Sequence, residues 1–530
     1  MNQGTTARSG LAPLDEREAA RPEQPELPGG PAQASSTYLE ILRSSAVIGG
    51  SSAINMAIGL VRTKAMAMML GPAGFGLMAA FSTVADLART FAELGINSSG
   101  VRQIAESAGT GDLQRIARTV YILRRTAAVL GILGTLLLAA FAKPVAVLTF
   151  GDDEHADAIA LLSIAVFLRL VSDGQGALLQ GLRRIGDIAK VGILGSLLGA
   201  VFSVALVYWL RERGVALALV AMAAMSLLMS WWFARKVQIG RPALDVSQMT
   251  QEVRALLRLG LAFMSSALLT MGAAYVVRII LIREQGLEAA GLFQAAWAVG
   301  GIYVMFILQA MATDFYPRLV AAADNDAECN RIVNEQARVS LLLASAGVLA
   351  TLTFAPWAIR LLYSGDFDGA TEVLRWICLG MALRVVTWPL GYILVAKGRQ
   401  MLFVGTDLAW TFVNVILTWY CVRRFGLAGA GLAFFGSYVF HFLVVYPICR
   451  KLTGFRWSAA NFGTSFAFMA VIAVVQAGFY VFGPETAIAS GAVAVLFSAA
   501  ASLYLLGNLA GAHGLSGKLA WLNRARSRGR

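Results

Sequence analysis

About fourteen stretches of roughly 18–27 mainly apolar residues follow one another between residues 44 and 509, separated by short polar turns. In hydrocarbon no water satisfies backbone N–H and C=O groups, so stretches of this length must cross as helices that close their own hydrogen bonds. The expected spans are 44–70, 74–95, 119–141, 158–180, 187–210, 215–233, 259–282, 289–313, 337–359, 371–396, 400–421, 426–449, 461–482 and 486–509. With 58% hydrophobic and 14% charged residues, the chain is more apolar than a soluble core requires. The reading is an all-α polytopic membrane protein.

The basic residues fix an orientation. If the N-terminus is cytoplasmic, loops on that side carry an excess of Arg and Lys of roughly four to one, which keeps both termini inside. The net charge of +13 is then a topology signal and an attraction to anionic membrane lipids, with no nucleic acid needed. No cleavable leader is expected, because the first apolar run begins near Ser44 and is long enough to insert by itself. Residues 1–40 lack an apolar period and are expected to form a disordered cytoplasmic tail. The four cysteines make no CxxC or metal spacing, and no Gly-rich phosphate loop is present. Neither a metal site nor a catalytic group is expected. His441 reads as a polar contact inside its span, with a proton relay as the alternative.

An internal duplication organises the rest. Arg62 meets Arg278, Arg102 meets Arg318, Arg115 meets Arg331 and Arg169 meets Arg384 at offsets of 215 or 216 residues, with Gly76-Leu77 against Gly291-Leu292. Apolar helices align by chance at Leu and Ala, but not at a series of arginines. Six spans per half give both halves one orientation about an axis along the membrane normal, with a central cavity between them. The expected organisation is a lobe at 41–235, a cytoplasmic linker at 236–258, a second lobe at 259–451, two further helices within 457–509 and a basic tail at 510–530.

A charge inside a span must face a partner or water, since an arginine at the bilayer centre costs at least about 2.5 kcal/mol. Asp86, Arg89 and Glu93 lie on one helical face, and Arg169 with Asp173 makes an i,i+4 pair, so each set can neutralise itself. Arg62 and Lys64 have no acidic residue within a turn, and Arg278 has only Glu284 at the span end. Unpaired cations near the axis suit an anionic substrate, because the guanidinium fork grips phosphate oxygens and stays charged.

GLVRTKAMAMMLGPAGFGLMAAF, LARTFAELGINSSGVRQIAE and the later GLAGAGLA turn carry a resemblance over roughly residues 41–451. The chain resembles the polysaccharide transporter branch of the multidrug/oligosaccharidyl-lipid/polysaccharide (MOP) exporter superfamily, and within it the O-antigen translocases, flippases for undecaprenyl-diphosphate-linked oligosaccharides. The resemblance implies the MATE-like MOP fold, a bacterial inner membrane location and alternating access without covalent chemistry. It implies a lipid-linked oligosaccharide as cargo, with a glycan polymerase and a chain-length regulator as further partners. By similarity to lipid II flippases, Arg62 and Arg89 are expected to line a cationic cavity for the diphosphate. Arg278 joins them through the repeat and Lys64 through proximity, with Arg169 and Arg384 as secondary cavity candidates.

Trp297, Tyr303 and Trp410 are candidates for stacking on sugar rings. No cofactor is expected. The membrane potential can drive an anionic headgroup outward, and Asp86, Glu93, Asp173 and Asp407 are the carboxylates available to bind a coupling proton or sodium ion. Spans thirteen and fourteen depart from the usual twelve. A cation exporter of the same superfamily would present acidic groups, and a glycan ligase or polymerase would carry a long external loop; the expected external loops are all short.

Overall fold

The computed structural model describes residues 31–237 and 246–527, and residues 1–50 form a unit apart from Ser51–Arg530. Among the described residues there is no strand. The helices are α1 (Pro31–Glu93), α2 (Ile96–Gly109), α3 (Leu113–Ala140), α4 (Ala142–Phe150), α5 (Ala156–Gly181), α6 (Ile185–Leu210), α7 (Gly214–Ala234), α8 (Val246–Ala321), α9 (Asp326–Thr353), α10 (Ala355–Leu362), α11 (Ala370–Ala396), α12 (Gln400–Phe425), α13 (Ala428–Thr453), α14 (Ala459–Val481) and α15 (Pro484–Ser527). Nine stretches among the described residues are long and apolar enough to cross a membrane, and two of them, Val47–Glu93 and Ile185–Ala234, have the length of two crossings. This is a multi-pass membrane protein. Helix α1 begins at Pro31, inside the stretch expected to lack order; Pro at the helix start followed by Ala32, Gln33 and Ala34 favours a helix there. Residues 1–30 of the expected tail, 238–245 of the linker and 528–530 lie outside the described residues. Helix α15 continues from the last span through most of the tail to Ser527.

The duplication is written in the backbone. Positive φ recurs 215 residues apart at Gly71 and Gly286, at Arg183 and Gly398, and at Arg211 and Gly426. Gly71 (φ 65°, ψ −176°) and Gly286 (φ 86°, ψ 176°) break α1 and α8 into hairpin-like halves, in a conformation essentially reserved for glycine. Pro72 then restarts α1 with its φ already helical. Asp112 and Asn325 cap α3 and α9, each accepting a backbone N–H three residues on. Phe141 and Phe354 then separate those helices from the short α4 and α10.

Packing repeats as well. Helix α5 lies against α3 and α7, and α7 against α6; in the second half α11 lies against α9 and α13, and α13 against α12. Helices α14 and α15 have no counterpart and pack on α9, where Ser345 shares hydroxyl contacts with Ser498 and Ser502. The fold is thus two six-helix repeats plus two C-terminal helices. Each half also lends side chains to the other's core: Phe75 of α1 meets Tyr363 and Phe367 edge-on, and Tyr275 of α8 joins the first-half cluster and hydrogen-bonds Thr149.

The halves meet most closely at two glycine crossings. A Cβ on Gly76 would lie 2.0 Å from the Leu287 carbonyl oxygen, and one on Gly291 would lie 1.9 Å from that of Pro72. Near the opposite ends of these helices, a Cβ on Gly95 would lie 2.0 Å from the Gly260 carbonyl oxygen. Glycine is what lets two helix backbones come this near.

Candidate functional site

The first half neutralises its charges across helices. Arg89 of α1 donates to Glu93 at 2.8 Å and to Asp173 of α5 at 2.9 Å, while Arg169 of α5 pairs with Asp86 of α1. The expected i,i+4 pair of Arg169 with Asp173 is replaced by two interhelical bridges, because α1 and α5 present a carboxylate and an arginine to each other. Two arginines face three carboxylates here. Arg89, expected to line the diphosphate cavity, is thus engaged through Nη1 by two protein carboxylates.

The remaining cations are held differently. Arg62 donates to the Met222 sulfur at 2.8 Å, a weak acceptor that leaves its charge unbalanced, and the charge that acts on it is that of Arg169, another cation. Arg278 reaches from α8 to the Ala79 carbonyl of α1 at 2.5 Å and to the hydroxyl of Thr83, and also to Gln294. All three partners are neutral, so its two terminal nitrogens are solvated by dipoles while its positive field persists. Lys64 points elsewhere. Its Nζ donates to the Leu361 carbonyl at 2.6 Å, at the C-terminus of α10, where a cation complements the helix dipole. That bond ties Lys64 to α10. The same corner is fixed by Arg360, which holds both oxygens of Asp368 and keeps that carboxyl below the usual carboxylate range.

The second half contains a cavity of about 470 Å³ between α8, α11, α12 and α13. Arg278 and Arg384 line it, with Asp407 as a carboxylate that has no partner among the described residues. Trp297, Trp388 and Trp410 supply ring surface. Trp410 is oriented by a hydrogen bond from Nε1 to Ser437 at 3.1 Å and stands against Tyr438 and His441. Tyr303 is elsewhere: its hydroxyl donates to the Leu343 carbonyl of α9, and its ring lies against Gly347. Of the three aromatic candidates, two line the cavity and Tyr303 does not. A second, apolar groove lies between α1, α3 and α4, closed at one edge by Tyr275.

A family model described as polysaccharide biosynthesis protein matches residues 65–372. The chain belongs to that family. Among its relatives, the lipid III flippase of Escherichia coli (strain K12) is 23% identical over 420 residues, covering 76% of this chain and 97% of the relative. Its fold is shared with the lipid II flippase MurJ in an inward closed conformation (TM-score 0.63, 12% identity, 87% of this chain and 99% of that one). It is also shared with an inward-facing multidrug resistance MATE transporter of the MOP superfamily (TM-score 0.61, 18% identity, 75% and 95%).

Sequence reasoning missed Trp388 and Gln294. The signal for Trp388 was present: the offset that sets Arg384 on Arg169 sets Trp388 on Asp173. Gln294 gave none, because a glutamine inside an apolar helix does not announce which arginine it will meet across the break at Gly286.

Proposed function

We propose that the protein flips an undecaprenyl-diphosphate-linked oligosaccharide, an O-antigen or related surface polysaccharide unit, from the cytoplasmic to the periplasmic leaflet of a bacterial inner membrane. The lobes 41–235 and 259–451 rock about the seam between α1 and α8, with both termini cytoplasmic and the prenyl chain remaining in lipid. The observation that carries the reading is the pair of arginines, Arg62 and Arg278, held by a thioether and by neutral oxygens, with no carboxylate hydrogen-bonded to either among the described residues and with Asp86 acting on Arg278 only through its field. An anion with bidentate oxygens can displace such partners without leaving a buried carboxylate exposed. Family membership and the flippase relative support the same reading.

Arg62 and Arg278 hold the diphosphate, and Arg384 extends the cationic surface into the second half. Asp86, Glu93 and Asp173 are committed to arginines, which leaves Asp407 as the carboxylate for a coupling proton or sodium ion. Export of organic cations is disfavoured by two arginines against one carboxylate in the second-half cavity.

The test is complementation in cells lacking the protein, reading surface polysaccharide. Wild type restores it, while Arg62→Ala and Arg278→Ala, expressed to the same level, fall to about a tenth or less, equivalent to ~1.4 kcal/mol or more. Lys64→Ala retains most of it. Cells that keep normal surface polysaccharide without the protein, or full restoration by both arginine variants, would contradict the reading.

A further inference from the structure

The two halves of this chain began as copies, and the places where their chemistry has diverged mark what the second half acquired. In the first half Arg169 pairs with Asp86, and Asp173 with Arg89, which fills the interior with ion pairs. In the second half the arginine is kept as Arg384, but Gly301 stands where Asp86 would be, Leu308 where Glu93 would be and Trp388 where Asp173 would be. The next helix has changed in the opposite sense. Gly192, Gly195 and Gly199 of α6 bring it against Asn55 of α1 and Ser226 and Met222 of α7. Their counterparts on α12 are Asp407, Trp410 and Asn414, and all three line the cavity. One copy is packed shut on glycines, and the other is held open around rings and hydrogen-bonding groups.

The open copy also has unmet hydrogen-bonding capacity. Arg278 Nε, Arg384 Nε and His441 Nδ1 are buried with no partner among the described residues, and all three residues line this one cavity. A buried polar atom left unpaired destabilises the site, so a ligand that satisfies these groups gains what the empty cavity forfeits. The ligand must offer apolar faces to tryptophan rings together with a dense edge of hydroxyl or amide groups. A pyranose ring does this: its C–H face covers an aromatic ring, while its equatorial hydroxyls reach planar amide and guanidinium groups. At about 470 Å³ the cavity lies within the usual range for small-molecule sites and has room for about two sugar rings.

We propose that the cavity between α8, α11, α12 and α13 is a glycan subsite that takes the sugars nearest the diphosphate, with Trp388 and Trp410 as stacking platforms and Arg384 and Asn414 bonding their hydroxyl or amide groups. Because Arg278 lines both this cavity and the α1–α8 seam, the subsite begins where the diphosphate site ends. The proposal rests on the flippase reading above. It makes the second half the part that reads the first sugars, while the rest of the oligosaccharide stays outside and goes unread.

The test is binding by the full-length protein in nanodiscs, comparing bare undecaprenyl diphosphate with the lipid-linked glycan extracted from the cells that make the protein. Wild type is expected to prefer the glycan-bearing lipid by about tenfold or more. Trp388→Leu and Trp410→Leu bring that ratio towards one, and Trp410→Phe, which keeps a ring face, retains most of it; equal thermal melting of the Leu and Phe variants excludes misfolding as the cause. If wild type binds both lipids equally, or the Leu variants keep the preference, the subsite is overturned while the flippase reading stands. If wild type binds neither lipid, both fall.

Discussion

Gly76→Ala is expected to lower transport about a hundredfold or more, and Gly291→Ala to do the same. A methyl group on Gly76 would meet the Leu287 carbonyl oxygen at 2.0 Å and the Gly291 backbone nitrogen at 2.9 Å. Both obstacles are backbone, so no side-chain rotation relieves them, and the helices must part by about an ångström or more to reach van der Waals separation. A seam that cannot close removes one of the two states that alternating access needs. Gly59→Ala and Gly272→Ala are the controls, because nothing lies within 4 Å of a Cβ at either position. These should transport as wild type does, with a small gain from helix propensity. Wild-type transport by Gly76→Ala would show that the α1–α8 crossing is not part of the working cycle.

Arg89→Ala is expected to lower stability by about 2 kcal/mol, because it strands Asp173 and Glu93 together without a cation. Removing one partner of a fully buried pair costs about 3–5 kcal/mol. Here Arg89 and Asp173 keep 28% and 34% of their side-chain surface exposed, which reduces that figure. Adding Asp173→Ala should return part of the loss, with a coupling of about 1–2 kcal/mol between the two sites. Thermal unfolding of the purified variants measures both. An Arg89→Ala protein as stable as wild type but unable to bind bare undecaprenyl diphosphate would restore Arg89 to the substrate site.

The spans were legible because lipid leaves helix as the one solution for a long apolar run, and the duplication because Arg62, Arg169 and their partners fall in register. The backbone agrees in detail, down to the positive φ shared by Arg183 with Gly398 and by Arg211 with Gly426. What the sequence concealed was pairing between helices. Arg169 has Asp173 one turn away, yet Asp86 on α1 takes it, and the choice depends on how α1 and α5 face each other. Lys64 sits two residues from Arg62 and therefore on a different face, which hands it to α10. Trp388 was hidden for another reason: a tryptophan in an apolar span looks like packing until its first-half counterpart, Asp173, is set beside it.

The most direct measurement is leaflet transfer of a fluorescent undecaprenyl-diphosphate oligosaccharide in proteoliposomes, with wild type beside Arg278→Ala. Transfer by wild type, and its loss in a folded Arg278→Ala protein, is the predicted result. Wild-type liposomes that leave every lipid-linked glycan in its original leaflet while exporting an organic cation would contradict it.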